Sequence, residues 1–317
     1  MVACSGGADS MALLATASVA LRAHRVPPFI VAHVDHATRP ETRDEGRLVA
    51  SAAAAFCRPF VQIRLQSDMV PRAQSAGPEA DLRERRYEAL SRTASRIGLV
   101  TVVTAHTKGD QVETILLRLL SGASSLASSG MKAVQEIEMG VGGLEIRRPL
   151  LDVPGPDVHQ VLEILNLPHR DDPSNENLDF RRNRLRHRVI PELERLDPGF
   201  GEGLVRTMQH AAEDAMVVEQ FAGVAYEQHV RRDGELMRIN RPFLIESEFA
   251  ISSRVVRDAI RSLSPADNRE VTRERILAVV HAATGHSGAR IEIPYGIVAV
   301  VERYHVVIRR DEERGER

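Results

Sequence analysis

Between residue 2 and about residue 150, short apolar runs alternate with stretches of helical length, and nothing else in the chain constrains its fold as strongly. Val2–Cys4, Phe29–Val34, Phe60–Leu65, Leu99–Ala105 and Glu145–Leu151 read as strands. Ser10–Ala23, Glu41–Phe56, Glu79–Ile97 and Gln111–Leu120 read as helices. Strand and helix in turn at this spacing make βαβ units, which require a mainly parallel, doubly wound α/β sheet. Such sheets bind ligands beyond the carboxyl ends of their strands. The α/β domain is expected over residues 1–195, with a boundary near Pro191–Gly201.

The pattern then changes. Gly203–Arg231 carries Leu204, Met208, Ala211, Ala215 and Val218 at helical spacing and no strand signal, so 196–236 is expected as a helical linker. A small α+β domain is expected over 237–310. It closes on the runs Arg290–Ile293 and Ile297–Ile308, parted by the turn signal Pro294-Tyr295-Gly296. The charged tail, 311–317, is expected to fray. The chain shows no internal repeat.

With 317 residues, 43% hydrophobic and 27% charged, the composition is that of a folded soluble protein. No apolar run is long enough to span a membrane, and no secretory segment leads the chain. Cys4 and Cys57 lie too far apart for a CxxC site, and two cysteines make no disulfide scaffold. A reducing, cytoplasmic setting is the expectation. Apart from Lys108 and Lys132 every basic side chain is arginine, so each basic surface is a guanidinium surface, suited to bidentate contact with phosphate.

The sharpest local signal is Val2-Ala3-Cys4-Ser5-Gly6-Gly7-Ala8-Asp9-Ser10, lying between a strand and a helix. Two glycines permit a tight turn and a close approach to a ligand. The N–H groups of Gly7, Ala8, Asp9 and Ser10, with the helix dipole, would form an anion site. The hydroxyls of Ser5 and Ser10 would add donors. An ordinary strand-to-helix turn uses the same residue types. The loop lacks the lysine of a Walker loop and is not GxGxxG. Asp9 beside phosphates calls for a cation, and Mg²⁺ suits a carboxylate plus phosphate oxygens. The alternative for Asp9 is a carboxylate answering the helix dipole. A second candidate site follows the fourth strand, where His106 and Asp110 stand four residues apart.

The motif SGGxDS resembles the pyrophosphate loop of the N-type ATP pyrophosphatases. Further marks follow in order: His33-Val34-Asp35-His36, then Glu79…Arg83…Arg86-Tyr87, then His106…Asp110-Gln111…Glu113-Thr114, then Arg148-Pro149-Leu150. Asp172-Pro173-Ser174-Asn175 and Arg182-Asn183-Arg184-Leu185-Arg186-His187…Pro191 complete the series. Over residues 1–195 this resembles the tRNA(Ile)-lysidine synthetase family in its short form.

The resemblance implies a PP-loop fold and a ligase forming a C–N bond. It would adenylate the C2 oxygen of the wobble cytidine in the isoleucine tRNA with anticodon CAU, and free L-lysine would displace AMP. Carried over, Ser5, Gly6, Gly7, Ala8, Asp9 and Ser10 would hold ATP and Mg²⁺, and the backbone near Val34 the adenine. Asp9, His106, Asp110 and Arg186 would sit at the reacting centre, with Asp9 and Asp110 toward the metal. Arg184 would reach the phosphates or the tRNA. A lysine amine titrating near ~10.4 costs about 4–5 kcal/mol to deprotonate at pH 7, and Asp110 is the candidate to orient it and take its proton. A homodimer is left open.

Arg181–Arg188 holds five arginines and no acid, a repulsive arrangement that an anionic partner would relieve. Three features depart from the family. Gly109 stands where an acid or amide is common. Serines replace glycines across Ser121–Gly130. The chain starts four residues before Ser5: a longer natural amino end is expected, or, if the short start is real, a less rigid loop. The rival readings are another adenylating enzyme of the same superfamily and a non-catalytic nucleotide- or RNA-binding relative.

Overall fold

The computed structural model describes residues 1–35, 42–65, 78–139, 142–170, 173–264 and 271–311. His36 and Asp172, and the side chains of Glu79, Pro173 and Ser174, lie outside the described residues, as does 312–317. The chain forms two compact units, Met1–Gln209 and His210–Arg317.

The first unit runs β1 (Val2–Ala3), α1 (Ala8–Arg22), β2 (Val31–Asp35), α2 (Thr42–Ala55), β3 (Phe60–Arg64), α3 (Pro78–Arg96), β4 (Thr101–Val103), α4 (Lys108–Leu120), α5 (Ser125–Ser128), β5 (Val134–Met139), β6 (Gly142–Arg147) and α6 (Gly155–Leu165). A 3₁₀ turn at Pro173–Glu176, α7 (Arg181–Arg184), a π turn at Leu185–Val189, α8 (Ile190–Leu196) and the start of α9 (Phe200–His229) follow. The sheet order is β3-β2-β1-β4-β6-β5. All pairings are parallel except β5 with β6. Both faces are covered, as the alternation requires. Met11, Leu14, Val31, Val49, Ala53 and Leu162 form a core on one face, and Ala32, Tyr87, Leu90, Val102 and Ile146 one on the other. Val31 and Ala32 fall on opposite sides because strand side chains alternate with period two.

Topology locates the functional end. From β1 the chain winds outward to β2 and β3, then returns to place β4 on β1's other side. That reversal opens a crevice at the carboxyl ends of β1 and β4, the switch point of a doubly wound sheet. β1 is short, yet bonds tie it on both flanks: Val2 N to Ile30 O and Cys4 N to Ala32 O at 2.8 Å, and Val103 N to Met1 O at 2.8 Å. The loop after it therefore leaves a strand anchored on both sides.

The edge strand β5 has no counterpart in the sequence reading. Its Val134-Gln135-Glu136-Ile137 sets two polar residues between two apolar ones on a partly exposed edge, which breaks the period-two signal. The serines near Ser121 build a turn of helix: the Ser124 hydroxyl caps α5 by accepting from Ala127 N. Gly130 keeps its place for a physical reason. Its φ is +87°, and a Cβ there would meet the Gln111 amide at 2.6 Å.

In the second unit α9 ends at His229, and β7 (Val230–Asp233), β8 (Leu236–Asn240), α10 (Arg241–Glu246), α11 (Phe249–Leu263), α12 (Arg273–Ala282), β9 (Arg290–Ile293), β10 (Ile297–Val301) and β11 (His305–Arg310) follow. The antiparallel sheet is ordered β7-β8-β11-β10-β9. Met237, Ile239, Val256, Ile260, Val279, Ile297 and Ile308 fill its core. The sheet begins at Val230 rather than after Met237, because β7 is one apolar residue followed by Arg231, Arg232 and Asp233 on an exposed edge. The Pro294-Tyr295-Gly296 turn forms, with Tyr295 and Gly296 both at φ +66°. The run Ile297–Ile308 is two strands, broken at Glu302–Tyr304.

Candidate active site

The glycine turn after β1 and the segment after β4 open on one cavity of about 520 Å³. Ser5 through Ser10, His33, Val34, Glu45, Arg86, Tyr87, His106, His159, Arg170 and Arg186 are among the residues lining it. Gly6 sits at φ +95°, a conformation L side chains rarely adopt, and this lets the chain turn back into α1. Gly7 is the N-cap of α1 and no side chain caps that end. The first-turn amides thus keep their capacity for an anion, reinforced by the helix dipole.

Ser10 has a different task from the one its sequence position suggested. Its hydroxyl accepts from Ser5 N at 3.1 Å and Gly6 N at 3.2 Å, and donates to Gly7 O at 2.9 Å. It therefore staples the loop. The Ser5 hydroxyl accepts from Gly7 N at 3.3 Å. The Cys4 thiol is buried beneath the loop, and burial pushes its pKa up, which disfavours the thiolate.

Asp9 is the exposed question of the site. Its Oδ1 is buried without a hydrogen-bond partner, and His159 Nε2 stands 3.5 Å away. Burial raises the Asp9 pKa, and the charge on Asp110 adds to this. Among the described residues no cluster of three His, Cys, Asp or Glu side chains could hold a metal by protein ligands alone. A lone carboxylate oxygen beside an anion cradle fits Mg²⁺, which keeps its waters and shares phosphate oxygens.

His106 lines the cavity with its Nδ1 2.9 Å from the Thr104 hydroxyl. Burial, with the guanidiniums of Arg83, Arg148 and Arg86, lowers its pKa to about 3, against the pull of Asp110. The ring is therefore neutral at physiological pH. The sign follows: the unfolded chain takes up this proton first, so stability is complete above pH 6.5 and is lost as pH falls toward about 3. Acid titration of thermal midpoints should show this loss, and His106→Gln should flatten it. A variant as acid-labile as the parent would refute the assignment.

Asp110 does not line the cavity, and its carboxylate is filled. Oδ2 accepts from Thr107 N at 2.9 Å and the Thr107 hydroxyl at 3.3 Å, closing a capping box at the start of α4. Oδ1 accepts from Arg182 Nη2 at 3.0 Å and Arg186 Nη2 at 3.3 Å. An amine or a metal at Asp110 would have to displace one of these donors. Glu113, one turn on and buried, binds Arg182 Nε at 2.6 Å and Arg186 Nη2 at 3.1 Å. Two acids from α4 thus neutralise two members of the arginine run, a relief invisible in a run that contains no acid of its own.

Arg186 lines the cavity; Arg184 does not. Its Nε and Nη2 donate to Leu178 O at 3.2 and 3.1 Å. Val34 lines the cavity. Glu45, His159 and Arg170 were not singled out by sequence. Each is one polar residue on a solvated helix or loop, and only the winding of the chain brings it to the rim.

The switch-point cavity, the uncapped helix start and the glycine turn define a PP-loop protein, and the PP-loop domain family model matches residues 1–193. The fold agrees with a solved U34-tRNA thiolase, NcsA from Methanococcus maripaludis, at TM-score 0.55 and 16% identity, covering 67% of this chain and 71% of that one. Among curated proteins, a tRNA(Ile)-lysidine synthase from Salinispora arenicola is 37% identical over 74% of this chain and 69% of its own length. One from Geobacter sulfurreducens is 36% identical over 73% of this chain. The chain belongs to the tRNA(Ile)-lysidine synthase family. It spans 47% of the length of the Geobacter protein.

Proposed function

We propose that this chain uses ATP to adenylate the C2 oxygen of the wobble cytidine in a tRNA(Ile) with a CAU anticodon, and that free L-lysine then displaces AMP. The observation that carries this reading is the single cavity shared by the phosphate loop, His106 and Arg186. In the first step cytidine O2 attacks the α-phosphate and pyrophosphate leaves. In the second the lysine amine attacks C2, AMP leaves and the amine loses a proton.

The loop amides from Gly7 onward would hold the phosphates, with Arg186 completing their neutralisation. Asp9 would hold Mg²⁺, whose charge would stabilise the pyrophosphate as it departs. Val34 would meet the adenine. Neutral His106, held beside Thr104, would exchange a hydrogen bond at the reacting centre without bringing charge there. The Asp110–Glu113 acids could receive the lysine ammonium only if Arg182 or Arg186 withdrew, so the arginine pair acts as the counter-ion that lysine must replace.

Labelled lysine supplied with ATP and a tRNA bearing an unmodified CAU anticodon should enter that tRNA, and ATP–pyrophosphate exchange should depend on the tRNA. Incorporation without ATP, or none with it, would overturn the proposal. Exchange supported by other tRNAs equally well would redirect it to another adenylating enzyme.

A further inference from the structure

Cys4 directly follows β1 and His33 stands on the neighbouring parallel strand β2, and a backbone carbonyl fixes how the imidazole is used. His33 is 1% exposed, and its Nδ1 lies 3.0 Å from the Cys4 carbonyl oxygen. A carbonyl only accepts, so Nδ1 carries the hydrogen of this bond. In the neutral ring Nε2 then offers a lone pair. That nitrogen is buried and meets no donor among the described residues. Buried acceptors left unpaired are rare in native proteins and ask for an explanation.

The surroundings supply one. His33 lines the cavity, next in sequence to Val34 and bonded to the residue that opens the phosphate loop. With phosphates on the loop and a base at Val34, the sugar would lie along the stretch of cavity wall to which His33 belongs. The donors a sugar offers are hydroxyls. A metal is a poor occupant, since no cluster of metal-ligating side chains occurs among the described residues.

We propose that His33 reads the sugar of the bound nucleotide, Nε2 accepting a hydrogen bond from a ribose hydroxyl. The inference rests on the nucleotide reading above and extends it to ribonucleotide selectivity. It is tested by calorimetric binding of ATP, 2′-deoxyATP and 3′-deoxyATP to the full chain with Mg²⁺, for the parent, His33→Phe and His33→Gln. The parent should bind one of the deoxynucleotides about 3–10-fold more weakly than ATP, a factor set by one net hydrogen bond. His33→Phe should bind that pair equally, and His33→Gln, whose amide oxygen accepts, should restore part of the difference.

Both deoxynucleotides binding the parent as tightly as ATP would overturn the assignment, whether or not the variants fold. Discrimination that survives in a folded His33→Phe would overturn it too. Failure of the parent to bind ATP at all is a different result, and removes the nucleotide reading itself.

Discussion

Asp9→Asn should lower tRNA-dependent ATP–pyrophosphate exchange about 100-fold or more while leaving the protein at least as stable at pH 7. The two halves of this expectation have one cause. Asp9 is a carboxylate held where the fold does not want its charge: burial first, and then the Asp110 carboxylate, raise its pKa. A carboxyl raised in the folded state adds stability only at low pH, and that contribution is lost as pH rises through the folded value. At neutral pH the ionised group is a cost that asparagine removes. The advantage of the variant in thermal midpoint should therefore shrink on acidification. The stabilisation of the parent by ATP with Mg²⁺ should also be lost in the variant, as mass action requires when a bound ion no longer favours the native state. Exchange within a few-fold of the parent, or a marked fall in midpoint at pH 7, would show that Asp9 is a structural cap.

Glu113→Ala should be the most destabilising single change near the site. The side chain is 3% exposed and binds both Arg182 and Arg186. Its removal leaves two guanidiniums, 26% and 41% exposed, with Asp110 alone. Breaking a buried pair from one side costs about 3–5 kcal/mol; partial exposure of the arginines brings the expectation to about 2–3 kcal/mol. Denaturant midpoints would measure it. The double variant Glu113→Ala/Arg182→Met should cost less than the sum of its parts, since the second change removes a charge the first left stranded. Additive costs, or a single-variant loss below about 0.5 kcal/mol, would mean the network contributes little.

Much of this site was legible in the residues. Ser5–Ser10 and His106 announce themselves because tight turns and helix starts admit few residue types, and Asp9 because a carboxylate beside an anion cradle is unusual. The helices and parallel strands of the first unit follow from apolar periodicity. The misses share a cause. β5 and β7 are edge strands, where solvent accepts charged residues and the period-two pattern fades. His159, Arg170 and Glu45 are ordinary surface types. The arginine run looked unpaired because its acids, Asp110 and Glu113, lie some seventy residues earlier in the chain. The relief assigned to an external anion is internal for Arg182 and Arg186.

The sequence by itself determined the α/β class, the glycine turn and the family, because each depends on local spacing along the chain. Which atoms are free to act was decided only by the tertiary structure. Asp9 and Asp110 are the same residue type on the first turns of two helices. One keeps a buried oxygen that no hydrogen-bond donor among the described residues meets, and the other accepts from Thr107, Arg182 and Arg186. A carboxylate's chemistry depends on the charges and donors packed within a few ångströms of it. Those neighbours come from distant strands and helices that only the winding of the sheet brings together.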